Sequence, residues 1–295
     1  MKKLLVACLL IASVSSPGAL SAQLDSSCRK EVIKLCGLTR DRSAIRTCLR
    51  QKHESLSRSC LQSLLELRKD RNQSSAAPSG GTSYSYGNAQ RQSYDFYPAK
   101  SGGKSALLVF IHGGGWSRGD KATGTGTKAS HFTENGYAFA SLNYRLVPET
   151  NPAGQAADIA AALANLRANA NTLGFDPERI FLMGHSAGAH LAALISTDPQ
   201  YLQSAGVPMP AIRGTILLDG AGYDVPRQMA NAGPMLGQLY RDAFSENRDL
   251  QLRLSPIAHA AGPNSANWLI LFDKARPDST SQSTALADAL SHAGS

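Results

Sequence analysis

One serine lies where an apolar run meets a stretch rich in alanine and leucine. The apolar run Ile180–Met183 leads into Gly-His-Ser-Ala-Gly at residues 184–188, which places Ser186 at the junction. A serine hydroxyl is a weak nucleophile unless the backbone presents it to a base and to donors for the developing oxyanion. A sharp turn from strand to helix does this and requires small neighbours. We therefore predict Ser186 as a nucleophile.

A run of three glycines earlier in the chain predicts donors for that oxyanion. Residues 112–116, His-Gly-Gly-Gly-Trp, directly follow the apolar run Leu107–Ile111. Glycine has no side chain, so its backbone N–H can approach a negative oxygen closely, and the N–H of Ala187 adds a further donor. A flexible turn is the alternative, but the flanking histidine and tryptophan favour an oxyanion loop. Trp116 is expected to wall the substrate site, with a packing role as the alternative.

These motifs resemble the α/β-hydrolase superfamily, and within it the esterase/lipase branch close to carboxylesterases and kynurenine-formamidase-like enzymes. Residues 143–148, Asn-Tyr-Arg-Leu-Val-Pro, resemble the branch's Asp-Tyr-Arg-Leu-Ala-Pro segment, with Asn143 in place of the acid. The resemblance covers about residues 93–292. It implies that Ser186 is the nucleophile and that the oxyanion donors are Gly114, Gly115 and Ala187, with Gly113 a less certain neighbour.

The resemblance also implies an acidic residue that orients a catalytic histidine, in the loop after the apolar run Trp268–Phe272. Asp278 lies in that loop proper, where the match to formamidase-like enzymes falls, and Asp273 abuts the strand end. Asp278 is therefore the predicted acid and Asp273 the reserve. The alternative is that Asp278 only caps a helix beginning near Thr280. Two aspartates after the preceding strand are set aside: Asp219 and Asp224.

The general base of such a triad is a histidine, and none of the seven histidines is well placed. Six fall in the N-terminal region, in the two motifs, on helices or in a segment with a structural role: His53, His112, His131, His185, His190 and His259. His292 follows a helix expected over residues 281–290, which carries the chain away from the active-site edge. We therefore expect a C-terminally truncated hydrolase that lacks its last strand and catalytic histidine. A complete but impaired relative is the alternative.

The elements that must position these residues alternate along the chain. Short apolar runs alternate with helical stretches, which predicts a mostly parallel sheet with helices on both faces, the α/β class. The predicted strands are Leu107–Ile111, Tyr137–Leu142, Ile180–Met183, Ile212–Leu218 and Trp268–Phe272. The clearest predicted helices are Gly154–Asn169 and Ala187–Ile195.

Composition and charge exclude several other classes. The chain has 295 residues, 42% of them hydrophobic, so it is not mostly disordered. The net charge of +8 lies entirely in residues 1–77, where 14 Lys and Arg face 6 Asp and Glu, while residues 78–295 hold 16 of each sign. The catalytic body is therefore formally neutral, and nothing favours a nucleic-acid partner.

The first residues have the pattern of an export signal. Lys2 and Lys3 precede an apolar run, Leu4–Val14, which is followed by small residues up to Ala22. A membrane anchor would need about 20 continuous apolar residues, more than this run has. We predict a cleaved signal peptide and a periplasmic or secreted protein.

Four cysteines cluster after this segment, in a region with helical periodicity. An even number in an exported chain predicts two disulfides with three possible connectivities, of which the nested pairing would staple a small helical hairpin or trio. Zinc is disfavoured because no Cys-x-x-Cys pair is present.

The segments 28–36, 48–49, 56–57 and 60 resemble one cysteine-rich repeat of the Golgi-glycoprotein type, which implies an extracytoplasmic structural or adhesive role. Its basic side chains form a solvated face or contact an anionic surface or another protein. The cysteines are Cys28, Cys36, Cys48 and Cys60.

Four segments follow from these patterns. We predict a signal peptide over residues 1–22, a cysteine-rich helical module over 23–71, a flexible linker over 72–92 and an incomplete α/β-hydrolase domain over 93–295. The linker follows from its richness in Ser, Gly, Asn and Gln.

The predicted activity is hydrolysis of small-molecule carboxylic esters through an acyl-serine, with no metal or organic cofactor. The chain as given is expected to show little or no turnover, because it lacks the catalytic histidine. Hydrolysis of amides or formamides is one alternative. A non-catalytic exported binding protein with an inactive hydrolase body is the other.

Overall fold

The computed structural model describes residues 26–37, 48–49, 51–64 and 80–295. The chain divides into two compact units, residues 1–73 and 74–295. The predicted signal peptide lies outside the described residues. None of the helices within the described ranges is long and apolar enough to cross a membrane.

The first unit is a small helical module held by disulfides. Helix α1, Ser26–Cys36, and the helical residues 58–64 pack around a core that includes Val32 and Leu56. A short 3-10 helix, His53–Ser55, lies between them along the chain. The two disulfides are nested, so the structure selects one of the three connectivities left open by the sequence: Cys28–Cys60 and Cys36–Cys48.

The second unit is built on a seven-stranded sheet with the order β1-β2-β4-β3-β5-β6-β7. Strands β3 to β7 are parallel, and β1 and β2 are antiparallel to their neighbours. The strands are β1 Thr82–Ser85, β2 Ser93–Tyr97, β3 Ser105–Ile111, β4 Ala138–Leu142, β5 Phe175–His185, β6 Ile212–Leu218 and β7 Trp268–Leu271. The predicted α/β class with a mostly parallel sheet is confirmed.

Strand β1 lies within the predicted linker, so residues 80–92 belong to the sheet unit, while residues 72–79 lie outside the described residues. The backbone of β1 pairs with β2, and the Tyr84 ring stacks on Tyr94 with centroids 5.4 Å apart. The Tyr86 hydroxyl donates a 2.7 Å hydrogen bond to the carbonyl of Asn143. An edge strand is paired on one side only. Backbone pairing with β2 and the contacts of these tyrosines hold this polar segment in the sheet.

The helices cover both faces of the sheet. Along β3, Leu107, Val109 and Ile111 belong to the large apolar core, whereas Leu108 and Phe110 belong to a smaller one on the other face. The helices of this unit are α2 Lys121–Thr125, α3 Lys128–Glu134, α4 Pro152–Ala168, α5 Ala170–Leu173, α6 Ala187–Thr197, α7 Pro199–Ser204, α8 Val225–Ala230, α9 Pro234–Phe244, α10 Arg248–Arg253, α11 Pro256–His259 and α12 Pro277–His292. Helices α4 and α6 pack in the large core and α3 in the small one.

Strand β7 forms one edge of the described sheet. It pairs with β6, and its side chains alternate between half-buried and exposed. Leu269 and Leu271 are 49% and 50% exposed. This edge therefore carries apolar side chains that the described residues leave in contact with solvent.

Candidate active site

Ser186 lies at a sharp turn between β5 and α6. Its φ of 54° and ψ of −119° are strained for a residue with a side chain, and its N–H donates a 2.9 Å hydrogen bond to the carbonyl of Leu218 on β6. A Cβ on Gly184 would overlap the carbonyl of Gly188, and a Cβ on Gly188 would overlap the carbonyl of Ile111. The small neighbours inferred from the sequence are therefore required by the packing.

The three glycines after β3 form a loop that lies against this turn. Gly114 and Gly115 have φ values of 133° and 58°, which favour glycine. A Cβ on Gly113 would lie 2.7 Å from the carbonyl oxygen of His185 and 3.0 Å from Cβ of Ser186. Gly113, which the sequence analysis ranked as less certain, is therefore the glycine packed directly against the nucleophile turn.

Ser186 and the glycine loop line one open cavity of about 800 Å³. The backbone N–H of Ala187 belongs to the first turn of α6, where helix N–H groups have no partner within the helix. A negatively charged oxygen next to Ser186 would therefore meet the positive end of α6 and the glycine loop. The assignment of the individual donors remains a prediction.

A buried histidine supports the loop from beneath. His112 Nδ1–H donates to its neighbour's carbonyl, Gly113 O, at 2.8 Å, and the hydroxyl of Tyr144 donates to His112 O at 2.7 Å. The rings of His112 and Tyr144 stack with centroids 4.5 Å apart. Burial lowers the pKa of His112 to about 4, so its imidazole is neutral near pH 7. Its Nδ1 bonds to Gly113 O and its Nε2 faces Arg91, so both ring nitrogens are directed at the loop and its support, and His112 holds the loop in place.

Arg91 ties the same loop to the edge of the sheet. Its Nη2 donates to the carbonyl of Gly119 at 2.8 Å and lies 3.5 Å from Nε2 of His112, while its Nε donates to the carbonyl of Tyr144 at 3.0 Å. The sequence does not identify this positioning residue, because Arg91 falls within the predicted linker. No local signal distinguishes this arginine, since its partners are brought together by strand order.

The structure explains why asparagine replaces the acid at position 143. Asn143 Oδ1 accepts from the backbone N–H of Lys121 at 2.7 Å, and its Nδ2 donates to Asp120 Oδ2 at 2.9 Å. A carboxylate at position 143 could only accept hydrogen bonds and would face the Asp120 carboxylate. The substitution therefore turns a repulsive contact into a hydrogen bond that closes the loop.

Trp116 borders the cavity and is also part of the core. Its side chain is 2% exposed, and its ring lies 4.7 Å from Phe244 and 5.7 Å from Tyr240, measured between centroids. Its Nε1–H donates to His190 Nδ1 at 3.2 Å, and His190 Nε2–H donates to the carbonyl of Leu254 at 2.8 Å. Most of the Trp116 side chain therefore packs in the core, which was the alternative to a role in the substrate site. The remainder faces the cavity.

The predicted acid lies in a different setting from the one expected. Helix α12 begins at Pro277 rather than near Thr280, with Arg276 as its N-cap, so Asp278 is in the first turn and is not the capping residue. Asp278 Oδ2 accepts from Arg276 Nη2 at 3.2 Å and lines a second cavity of about 410 Å³. Arg276 also pairs with Asp219 and lines the Ser186 cavity. The structure does not place Asp278 in that cavity, and its catalytic role stays a prediction.

Within the described ranges, no histidine forms a hydrogen bond with Ser186 Oγ. His259 Nε2 bonds to the carbonyl of Arg253 at 2.9 Å, and His292 Nδ1 bonds to the carbonyl of Asp288 at 2.6 Å at the exposed end of α12. Among the same residues, no group of three or more His, Cys, Asp or Glu side chains could hold a metal ion. The described residues thus bring Ser186 and the glycine loop together, and their roles as nucleophile and oxyanion donors stay predictions.

The parallel sheet, the serine turn and the glycine loop give the second unit the fold seen in solved esterase structures, and several known sequences are similar to it. Residues 95–205 match the BD-FAE family model. The isoprenylcysteine alpha-carbonyl methylesterase ICME of Arabidopsis thaliana is 36% identical over 109 residues, which are 37% of this chain and 25% of that protein. The probable carboxylic ester hydrolase LipM of Mycobacterium tuberculosis is 29% identical over 165 residues, 53% of this chain and 38% of that protein.

Solved structures show the same fold. Esterase B from Lactobacillus rhamnosis aligns with a TM-score of 0.62 at 21% identity, covering 80% of this chain and 79% of that chain. A putative thioesterase from Silicibacter aligns with a TM-score of 0.60 at 26% identity, covering 76% and 78%. The matched region spans 25% of the length of ICME and 38% of that of LipM.

Proposed function

We propose that this protein hydrolyses carboxylic esters through an acyl-serine intermediate. The observation that carries the proposal is the strained Ser186 at the end of β5, packed against the glycine loop in an open cavity. The similar proteins named above include a methylesterase and a probable carboxylic ester hydrolase. Ester hydrolysis, which the names of both proteins state, supports the same reaction here.

In the proposed reaction, Ser186 Oγ attacks the ester carbonyl while a histidine base accepts its proton. The oxyanion then lies near the backbone N–H groups of Gly114, Gly115 and Ala187. Collapse breaks the bond to the alcohol, which leaves with the proton from the histidine. Water repeats these steps on the acyl-serine and releases the acid. The described residues do not bring this histidine to Ser186, and Asp278 is its proposed partner.

The first unit and the export signal add a proposal about location. We propose that the protein is periplasmic or secreted, which the two disulfides of the first unit support because disulfides persist in oxidising compartments. Lys30 and Lys34 lie one turn apart on α1 and are exposed, which supports contact with an anionic surface or another protein. Cell fractionation with N-terminal sequencing tests the export proposal, which predicts a new N-terminus near residue 23.

An ester assay tests the proposed activity. The full-length protein, meaning a form that includes the catalytic histidine, should hydrolyse p-nitrophenyl butyrate, and Ser186→Ala should lower its kcat by about 10⁴-fold or more. Ser291→Ala, at an exposed serine on α12, is the matched control and should keep the wild-type rate. A Ser186→Ala protein that keeps its rate would refute the proposal. An anilide of formic acid in the same panel separates ester from formamide hydrolysis.

A further inference from the structure

Two cationic side chains line the Ser186 cavity, and within the described residues neither has an acidic partner. Arg118 lies in the loop after the glycines and is exposed, with no side-chain hydrogen bond or ion pair among those residues. Lys128 begins α3, and its Nζ lies 4.5 Å from the centroid of the Phe110 ring. Its Nζ donates one hydrogen bond, to the carbonyl of Gly124 at 2.9 Å. Both cations therefore have donors free to bind a ligand.

The other charged groups of the cavity are already engaged. Both carboxylate oxygens of Asp120 accept hydrogen bonds within the loop, from Ala122 N and Asn143 Nδ2. Arg276 is paired with Asp219 and Asp278. Arg118 and Lys128 are therefore the cations of this cavity that have no ion pair among the described residues.

Helix α9 gives the same cavity an apolar part. Leu236, Leu239 and Tyr240 line it, and Leu236 is 42% exposed. A Cβ on Gly115 would lie 2.9 Å from a methyl group of Leu239, so α9 packs directly on the glycine loop. The cavity thus presents hydrocarbon and positive charge to the same ligand, from different elements of the fold.

We propose that the preferred substrate is an ester that also carries an anionic group, which binds Arg118 and Lys128 while its hydrocarbon part packs on α9. This inference rests on the proposed function. A guanidinium presents a planar set of donors that suits both carboxylate and phosphate, and an ammonium acts as a point charge. Burial lowers the pKa of Lys128, so a bound anion would favour its charged form.

A binding experiment in the Ser186→Ala protein tests the charge preference without turnover. Monobutyl glutarate carries a free carboxylate, and butyl methyl glutarate is its neutral match. We expect the acid to bind at least about tenfold more tightly at low salt, since two partly screened charges each contribute a few-fold. The Arg118→Gln/Lys128→Gln double variant should reduce that preference to within about twofold. Lys104→Gln, an exposed lysine outside the cavity, is the control and should leave it unchanged.

A second ligand pair identifies the anionic group. The butyrate ester of ethylene glycol phosphate and the monobutyrate of ethylene glycol differ only in the phosphate. If the anionic member of one pair binds more tightly and the double variant loses this preference, the anion site is supported. The pair that shows the preference identifies the bound group as a carboxylate or a phosphate. Equal affinities within both pairs, or a preference that the double variant keeps, would overturn the inference.

The same ligands separate this inference from the proposed function. If the protein with Ser186 intact hydrolyses none of the esters but the charge preference is present, the proposed function is wrong and the anion site stands. If it hydrolyses the neutral and anionic esters with equal kcat/KM, the esterase stands and the anion site is wrong. Because binding is measured in the Ser186→Ala protein, the two results are obtained independently.

Discussion

The buried histidine beneath Trp116 predicts that acid destabilises the second unit. Burial lowers the pKa of His190 to about 4, from an ordinary value of 6.5, because a charged imidazole would be desolvated there. Between these two values the unfolded chain binds a proton that the folded chain does not. The stability that depends on neutral His190 is therefore complete above pH 6.5 and is lost as the pH falls toward 4.

The size of the effect follows from the two pKa values. Between pH 7 and pH 5, a histidine that titrates at 6.5 when unfolded and at about 4 when folded lowers the free energy of unfolding by about 2 kcal/mol. His112 has the same depressed pKa and should contribute a similar loss. Protonation of His190 would also remove the acceptor for the Trp116 N–H.

Urea unfolding at pH 7 and pH 5 measures this loss. The only two tryptophans, Trp116 and Trp268, lie in the second unit, so tryptophan fluorescence reports its unfolding. His190→Gln should be less stable than the wild type at pH 7, yet it should lose about 2 kcal/mol less on going to pH 5. If the variant and the wild type lose the same amount, the assignment of a neutral, buried His190 is wrong. Titration of the imidazole proton resonance provides an independent check.

Two further substitutions test the packing that positions the site, each by its urea unfolding midpoint. Gly188→Ala should destabilise the fold by about 3 kcal/mol, because its Cβ would overlap the backbone of Ile111. Gly233→Ala, whose Cβ would meet no atom within 4 Å, should cost only about 1 kcal/mol or less, the loss of a glycine N-cap on α9. Equal midpoints for the two variants would contradict the close packing at the turn. Asp158→Ala should cost about 3 to 5 kcal/mol, because the buried carboxylate accepts hydrogen bonds from the backbone, Nε and Nη2 of Arg145. A decrease in the free energy of unfolding below about 1 kcal/mol would show that the Arg145–Asp158 pair does not hold α4 to the segment after β4.

The central strands could be predicted from sequence because they are buried on both faces. Parallel strands covered by helices need continuous apolar runs, and the five runs found in the sequence correspond to β3 to β7. Strand β1 could not be found this way, since it is an edge strand with the polar sequence Thr-Ser-Tyr-Ser. Its pairing depends on β2, whose own place beside β4 is set by the topology of the whole sheet.

The nucleophile and the glycine loop could be predicted because each depends on a short continuous segment. The supporting contacts could not, since they join distant parts of the chain. Arg91 reaches His112 and Tyr144 only because β2 lies beside β4, and the contact between Trp116 and His190 spans 74 residues. The pairing of Arg276 with Asp278 likewise depends on where α12 begins, a boundary that the sequence pattern placed three residues late.

Covalent labelling of the nucleophile tests the central claim most directly. The full-length protein is incubated with a fluorophosphonate and digested with trypsin, which releases residues 180–213 as one peptide. The proposed mechanism predicts a phosphonyl adduct on Ser186, and no adduct on this peptide in the Ser186→Ala protein. Absence of any adduct under conditions that label a known serine esterase would contradict the mechanism and favour a non-catalytic binding protein.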